Sequence, residues 1–243
     1  MASSAASDAL SPGGRRVIVT GAEGGIGRAT VATLERAGCA VGGCDAGDFD
    51  VRDPAAVETG VAALVDRLGG CDAVVACAGV VDTIHRAERF SEDQWRKDID
   101  TNLTGTFHVV RALFEPLRAS GDGRVVVLLS ASAESGLPGQ VAYTASKAGL
   151  VGMVRTLAAE WGRHGIRVNV VMPGLIATPK VQALPEPVRQ GMSAALPLGR
   201  IGAPEEVAGT IAFLLSPAAA YTTGTVLRVD GGYGLTTASL ARP

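Results

Sequence analysis

The chain has 243 residues, of which 47% are hydrophobic, 19% charged and 4% aromatic, with a formal net charge of −2. That length suits one α/β domain, and the near-neutral charge offers no basic footprint for nucleic acid or an anionic membrane surface. The four cysteines, Cys39, Cys44, Cys71 and Cys77, form no CxxC pair and have no histidine at metal-ligand spacing, so they read as reduced core thiols and no metal is expected. No apolar run is long enough to span a bilayer, and residues 1–13 lack the charged start and apolar stretch of a secretion signal. The expected setting is the cytoplasm.

In chain order, residues 1–14 are expected to be a disordered tail, 15–235 one folded domain and 236–243 a C-terminal tail. Residues 16–20 read as a strand and 25–37 as a helix. A second strand covers 40–44, a helix 54–68 with Pro54 in its first turn, and a strand 73–76. A long helix starts near Ser91, where Ser91 and Gln94 resemble a capping box. Strands at 124–129, 167–172 and 225–229 then alternate with helices at 143–164 and 204–215. Strands that are apolar throughout and separated by helices imply a doubly wound, Rossmann-type parallel sheet covered on both faces. Such a fold places ligands beyond the carboxyl ends of its strands.

Thr20-Gly21-Ala22-Glu23-Gly24-Gly25-Ile26-Gly27 lies between the first strand and the first helix. Gly21, Gly25 and Gly27 let the backbone turn tightly and approach a pyrophosphate, which the helix N-terminus would attract. The spacing is GxxxGxG rather than the commoner GxGxxG. Asp45 ends the second strand, where a carboxylate accepts both hydroxyls of an adenosine ribose. Tyr143 and Lys147 stand four apart on a helix and so share a face. Tyrosine titrates near 10, and a fixed cation beside it, from Lys147 and an oxidised nicotinamide, favours phenolate and makes it a usable base.

Together these motifs resemble the classical short-chain dehydrogenase/reductase family over residues 15–233. The set comprises the TGxxxGIG turn, Asn102 in Asn-Leu-Thr-Gly, Ser130 after the 124–129 strand, Tyr143 with Lys147, and Pro173-Gly174 with Thr178. The resemblance implies a catalytic tetrad. Ser130 orients the substrate oxygen, Tyr143 is the acid/base, Lys147 holds the nicotinamide ribose and tunes Tyr143, and Asn102 holds a water that links Lys147 to solvent. It also implies cofactor contacts at Ile26, Asp50-Val51, Cys77-Ala78-Gly79, Ile176 and Thr178, and a C-terminal strand and turn at residues 229–232. Ser132 is the runner-up to Ser130 and is expected to line the substrate pocket.

Two features depart from the family pattern. Cys77 stands where the family has asparagine. Only residues 46–49 separate Asp45 from the Asp-Val pair, where the family has a helix. Parallel neighbours need a crossover of about a dozen residues. Here that helix should be missing and the following strand reduced to a remnant.

The reading is an NAD(H)-dependent oxidoreductase acting on a small secondary alcohol or ketone. NAD is expected because Asp45 would face a 2′-phosphate with no nearby cation to offset the repulsion. Two readings stay open beside it: an NADPH-dependent 3-oxoacyl carrier-protein reductase and a non-catalytic dinucleotide sensor. The substrate is expected to be neutral and mainly apolar, held by Ser132, Pro138, Gln140, Leu175, Val181, Leu184, Val188, Met192 and Leu196. Arg189 is the one local candidate to clamp an anion. The resemblance further implies a homotetramer, and Ala148, Gly149 and Gly152 would permit close helix packing.

Overall fold

The computed structural model describes residues 9–81 and 84–235. Six parallel strands form one sheet: β1 (Arg16–Thr20), β2 (Ala40–Cys44), β3 (Ala73–Ala76), β4 (Arg124–Leu128), β5 (Arg167–Pro173) and β6 (Val226–Val229), in the order β2-β1-β3-β4-β5-β6. Side chains alternate across the sheet as the pleat requires. Ile18 and Val74 face one core, while Val17, Val19, Ala73 and Val75 face the other.

The first core is closed by α2 (Pro54–Leu68), α4 (Gly105–Ala112) and α7 (Val141–Trp161) through Val61, Val109, Leu150 and Val154. The second is closed by α1 (Gly25–Arg36) and α10 (Pro204–Leu215) through Leu34, Val207 and Ile211. Further helices are α3 (Glu92–Ile99), α5 (Phe114–Ala119), α6 (Ser132–Ser135), α8 (Pro179–Gln182) and α9 (Glu186–Ala194).

The chain runs from β1 to β2 on one side and returns to β3 on the other. The crevice therefore opens at the carboxyl ends of β1 and β3. The ladders pair Thr20 with Cys44 and with Ala76, so Gly21, Asp45 and Cys77 leave the sheet side by side.

Three expectations change. The long helix from Ser91 has its capping box, with Ser91 Oγ accepting from Gln94 N at 3.2 Å, but it gives way to a π-helical turn at Asp100–Thr104. Residues 45–53 carry neither helix nor strand, so even the expected remnant is absent and β2 is the sheet edge. The expected tail over 1–14 lies outside the described residues for 1–8. Its later part is anchored: Pro12 is buried, its carbonyl accepts from Cys39 Sγ at 3.4 Å, and Gly14 N donates to Gly38 O at 3.1 Å. The tail at 236–243 lies outside the described residues. Among the described residues, no helix is long and apolar enough to cross a membrane.

Candidate active site

The glycine turn is packed so closely that its glycines leave little room for a side chain. Gly21 sits at φ 66°, and a Cβ there would meet Ala78 Cα at 2.8 Å. A Cβ on Gly27 would lie 1.9 Å from Gly21 O, and one on Gly25 would lie 3.0 Å from Thr178 and Pro179. The 173–179 segment thus overhangs the start of α1, bringing Thr178 to the helix N-terminus. Gly174 in turn is pressed on Asp230, 2.6 Å from its would-be Cβ, which ties the Pro173-Gly174 turn to the end of β6. Ile26, partly buried, packs its side chain against the second core. Ile176 is buried and bridges to Gly202.

Beside the turn lies a cavity of about 640 Å³ lined by Gly21, Asp45, Asp50, Val51, Cys77 and Ala78 among others. Asp45 is held by two backbone donors, Glu23 N at 3.0 Å and Ala46 N at 2.9 Å. Thr20, which the sequence reading missed, is buried, and its hydroxyl accepts from Ala78 N at 3.2 Å, joining β1 to the Cys77-Ala78-Gly79 turn. Its signal was the threonine directly before the first glycine. Arg52 and Lys97 line the same cavity, which corrects the expectation that no cation lies nearby. Arg52 is committed to Asp50, with Nε at 3.0 Å and Nη2 at 2.6 Å. A cradle of bare glycine backbone, a helix N-terminus and a carboxylate at the far end fits a dinucleotide.

The four residues of the implied tetrad converge where β4, α7 and the π-helical turn meet. Tyr143 and Lys147 share a face of α7, with Lys147 Nζ 5.9 Å from the tyrosine ring centre. Nζ donates to Leu128 O at 3.0 Å, and a Cβ on Gly79 would sit 3.3 Å from it. Ser130 follows β4, close enough to the Tyr143 phenol for its hydroxyl to lower the phenol's pKa. The π-helical turn carries Asn102 into the core. There its Oδ1 accepts from Val80 N at 2.7 Å, while Nδ2 donates to Val80 O at 2.9 Å and to Ser146 Oγ at 3.2 Å. The side chain is thus spent on fixing the turn after β3.

Burial dominates the electrostatics here. It raises the Tyr143 phenol above its ordinary value, against the lowering effect of the Ser130 hydrogen bond and with a smaller push from Asp98. Lys147 is not among the groups that lower the phenol here; the expectation joins it to the charge of an oxidised nicotinamide, and without that charge burial prevails. Lys147 is only 5% exposed, and burial lowers its own pKa to about 8. Burial also pushes Cys77 up to about 12, which keeps it a thiol. All four cysteines are free, and no group of three potential metal ligands occurs among the described residues.

The expected substrate wall does not form one surface. Ser132 is buried against Ser130, its N and Oγ lying 3.3 and 3.0 Å from Ser130 Oγ. Pro138 is exposed and Gln140 half-buried on the loop before α7. Leu175 and Leu196 instead line a separate cavity of about 450 Å³ beside β6, and Val181 lines a third. Leu184, Val188 and Met192 are exposed around α9. The segment is proline-punctuated, so its helices are too short to carry all these side chains to one side. Arg189 is engaged by Glu186 and donates to Gln182 O at 3.0 Å.

A family model described as enoyl-(acyl carrier protein) reductase matches residues 5–234. The chain is 38% identical to a (3R)-3-hydroxyacyl-CoA dehydrogenase of Rattus norvegicus over 248 aligned residues, covering 88% of this chain and 94% of that one. It is 35% identical to the 3-oxoacyl-(acyl-carrier-protein) reductase of Escherichia coli, covering 90% and 97%. Among solved structures, a levodione reductase superposes with a TM-score of 0.85 at 32% identity, covering 90% and 96%. With the doubly wound sheet and the glycine cradle, these matches show that the chain belongs to the short-chain dehydrogenase/reductase family of nicotinamide-dinucleotide oxidoreductases.

Proposed function

We propose that the chain is an NAD(H)-dependent oxidoreductase that interconverts a secondary alcohol and a ketone. The observation that carries this reading is the pairing of Tyr143 and Lys147 on one face of α7, with Lys147 Nζ against Gly79 of the cavity that Asp45 also lines. Bound in that cavity, the dinucleotide supplies or accepts the hydride. Gly21, Gly25 and Gly27 would hold its pyrophosphate, and Asp45 and Lys147 its two riboses. Ser132 fixes Ser130 so that the Ser130 hydroxyl meets the substrate oxygen. Tyr143 exchanges the hydroxyl proton with that oxygen. Its phenol, raised by burial, is well suited to give the proton when a ketone is reduced. In the oxidative direction, Lys147 and the positive charge of a bound oxidised nicotinamide would together favour phenolate.

Asp45 supports NAD over NADP. A 2′-phosphate about 4 Å from a carboxylate is repelled by roughly 4 kcal/mol at an effective dielectric near 20. Arg52 stands nearby, but its guanidinium is occupied by Asp50. On the substrate side, the engagement of Arg189 by Glu186 and Gln182 supports a neutral substrate. The 38% identity to a 3-hydroxyacyl-CoA dehydrogenase favours a second reading within the same chemistry, in which the alcohol is that of a 3-hydroxyacyl thioester. A non-catalytic sensor would have no use for Ser130. A homotetramer is proposed by family resemblance. Gly149 is used inside the subunit, its would-be Cβ 2.9 Å from Leu103, while Ala148 and Gly152 stay exposed on α7.

The test is steady-state turnover of simple ketones, secondary alcohols and 3-oxoacyl thioesters with NADH/NAD and NADPH/NADP. Preference for NADH with a neutral ketone is the expected result. Efficient turnover of thioesters alone would move the assignment to the second reading, and a preference for NADPH would defeat the cofactor assignment.

A further inference from the structure

Residues 46–52 form a strap where the family has a helix and strand, and nothing regular holds it. Its backbone hydrogen bonds are local turns, such as Asp48 N to Asp45 O at 2.9 Å and Asp53 N to Asp50 O at 3.1 Å. Yet Phe49, Asp50, Val51 and Arg52 line the 640 Å³ cavity. Three contacts anchor the strap from outside. The Phe49 ring lies on Gly60 of α2, so close that a Cβ there would be 2.2 Å from Phe49 Cδ1. Val51 lies on Gly105 at the start of α4, where a Cβ would be 2.6 Å from Val51 Cγ2. One turn further along α4, His108 Nδ1 is 3.0 Å from Val51 O. A carbonyl only accepts, so Nδ1 carries the proton and donates.

We infer that His108 is a positioning residue for the adenine end of the dinucleotide, acting through the Val51 carbonyl. It stands behind the strap, on a helix rooted in the core beside Val109 and Val110, both buried. From there it does the job that a strand ladder would otherwise do. The strap is then a rigid wall that needs no ordering when adenosine enters, and lost preorganisation appears as lost affinity. The inference rests on the dinucleotide reading above, and it adds a residue outside the cradle that sets affinity for one half of the cofactor only.

The test compares NADH with reduced nicotinamide mononucleotide, which has no adenosine, in the full-length wild type, His108→Ala and His108→Asn. Dissociation constants come from nucleotide fluorescence, and kcat and KM from ketone reduction. His108→Ala should weaken NADH by about fivefold, the effect of one net hydrogen bond, in Kd and KM with kcat unchanged. Mononucleotide binding should not move. His108→Asn, whose amide nitrogen stands near the place of Nδ1, should restore most of the NADH affinity. Gly60→Ala, which displaces Phe49, should reproduce the same split. NADH affinity unchanged in His108→Ala, or equal losses for both nucleotides, would overturn the inference. A wild type that binds neither nucleotide would overturn the dinucleotide reading and this inference with it.

Discussion

Replacing Lys147 by methionine separates what that residue does for function from what it costs the fold. Its ammonium is buried, and the pKa falls from 10.5 to about 8 because burial penalises the charge. A cation whose pKa is depressed by folding destabilises the native state wherever that state holds the proton. The penalty is therefore full below pH 8 and is relieved as pH rises from 8 to 10.5. It is worth about 3 kcal/mol at pH 7 and about 1 kcal/mol at pH 10. Methionine fills similar space without charge, but loses the hydrogen bond to Leu128 O, worth roughly 1 kcal/mol. The net gain for Lys147→Met is about 2 kcal/mol at pH 7, a Tm rise of roughly 4–8 °C for a chain of this size. At pH 10 the gain should vanish. Thermal unfolding followed by circular dichroism, without dinucleotide, at the two pH values is the assay. Turnover and NADH affinity should both collapse in the same variant. A Tm that falls at pH 7, or rises equally at both pH values, would refute the reasoning.

Ser132→Ala should lower kcat by about fivefold, one hydrogen bond's worth, while leaving NADH affinity alone, because it frees the Ser130 hydroxyl to point elsewhere. Unchanged kcat would show that Ser132 does not orient Ser130. Gly27→Ala forces a Cβ to within 1.9 Å of Gly21 O, so the turn must open. NADH binding measured by fluorescence should be lost, and retained binding would mean that the pyrophosphate lies elsewhere. Asp45→Ser removes the charge that repels a 2′-phosphate and should raise kcat/KM for NADPH by about tenfold or more, a solvent-screened share of the Coulomb term. No change in the NADPH to NADH ratio would remove Asp45 from cofactor choice.

Local rules carried the reading far. Short apolar runs bounded by turn residues locate all six strands, and the Ser91/Gln94 cap locates the start of α3. The missing crossover helix followed from counting residues 46–49. What stayed hidden depends on residues distant in sequence. The π-helical turn at Asp100–Thr104 is held by Asn102 reaching Val80 and Ser146, and no helix propensity reports such a contact. The strap's anchors pair Phe49 with Gly60 and Val51 with His108, fifty-seven residues apart for the latter. The spacing of Tyr143 and Lys147 says nothing of burial, which acts on the phenol against the expected pull of Lys147 and an oxidised nicotinamide. The expected substrate wall depends on how a proline-punctuated segment packs, and its apolar residues lie on three surfaces.

The central claim is that Tyr143 transfers a proton at a site built for NAD(H). The direct measurement is ketone reduction by the wild type and Tyr143→Phe, with NADH binding followed in parallel. The account predicts a loss of about 10²- to 10⁴-fold in kcat for Tyr143→Phe, with NADH affinity preserved. Near wild-type turnover in that variant would contradict it.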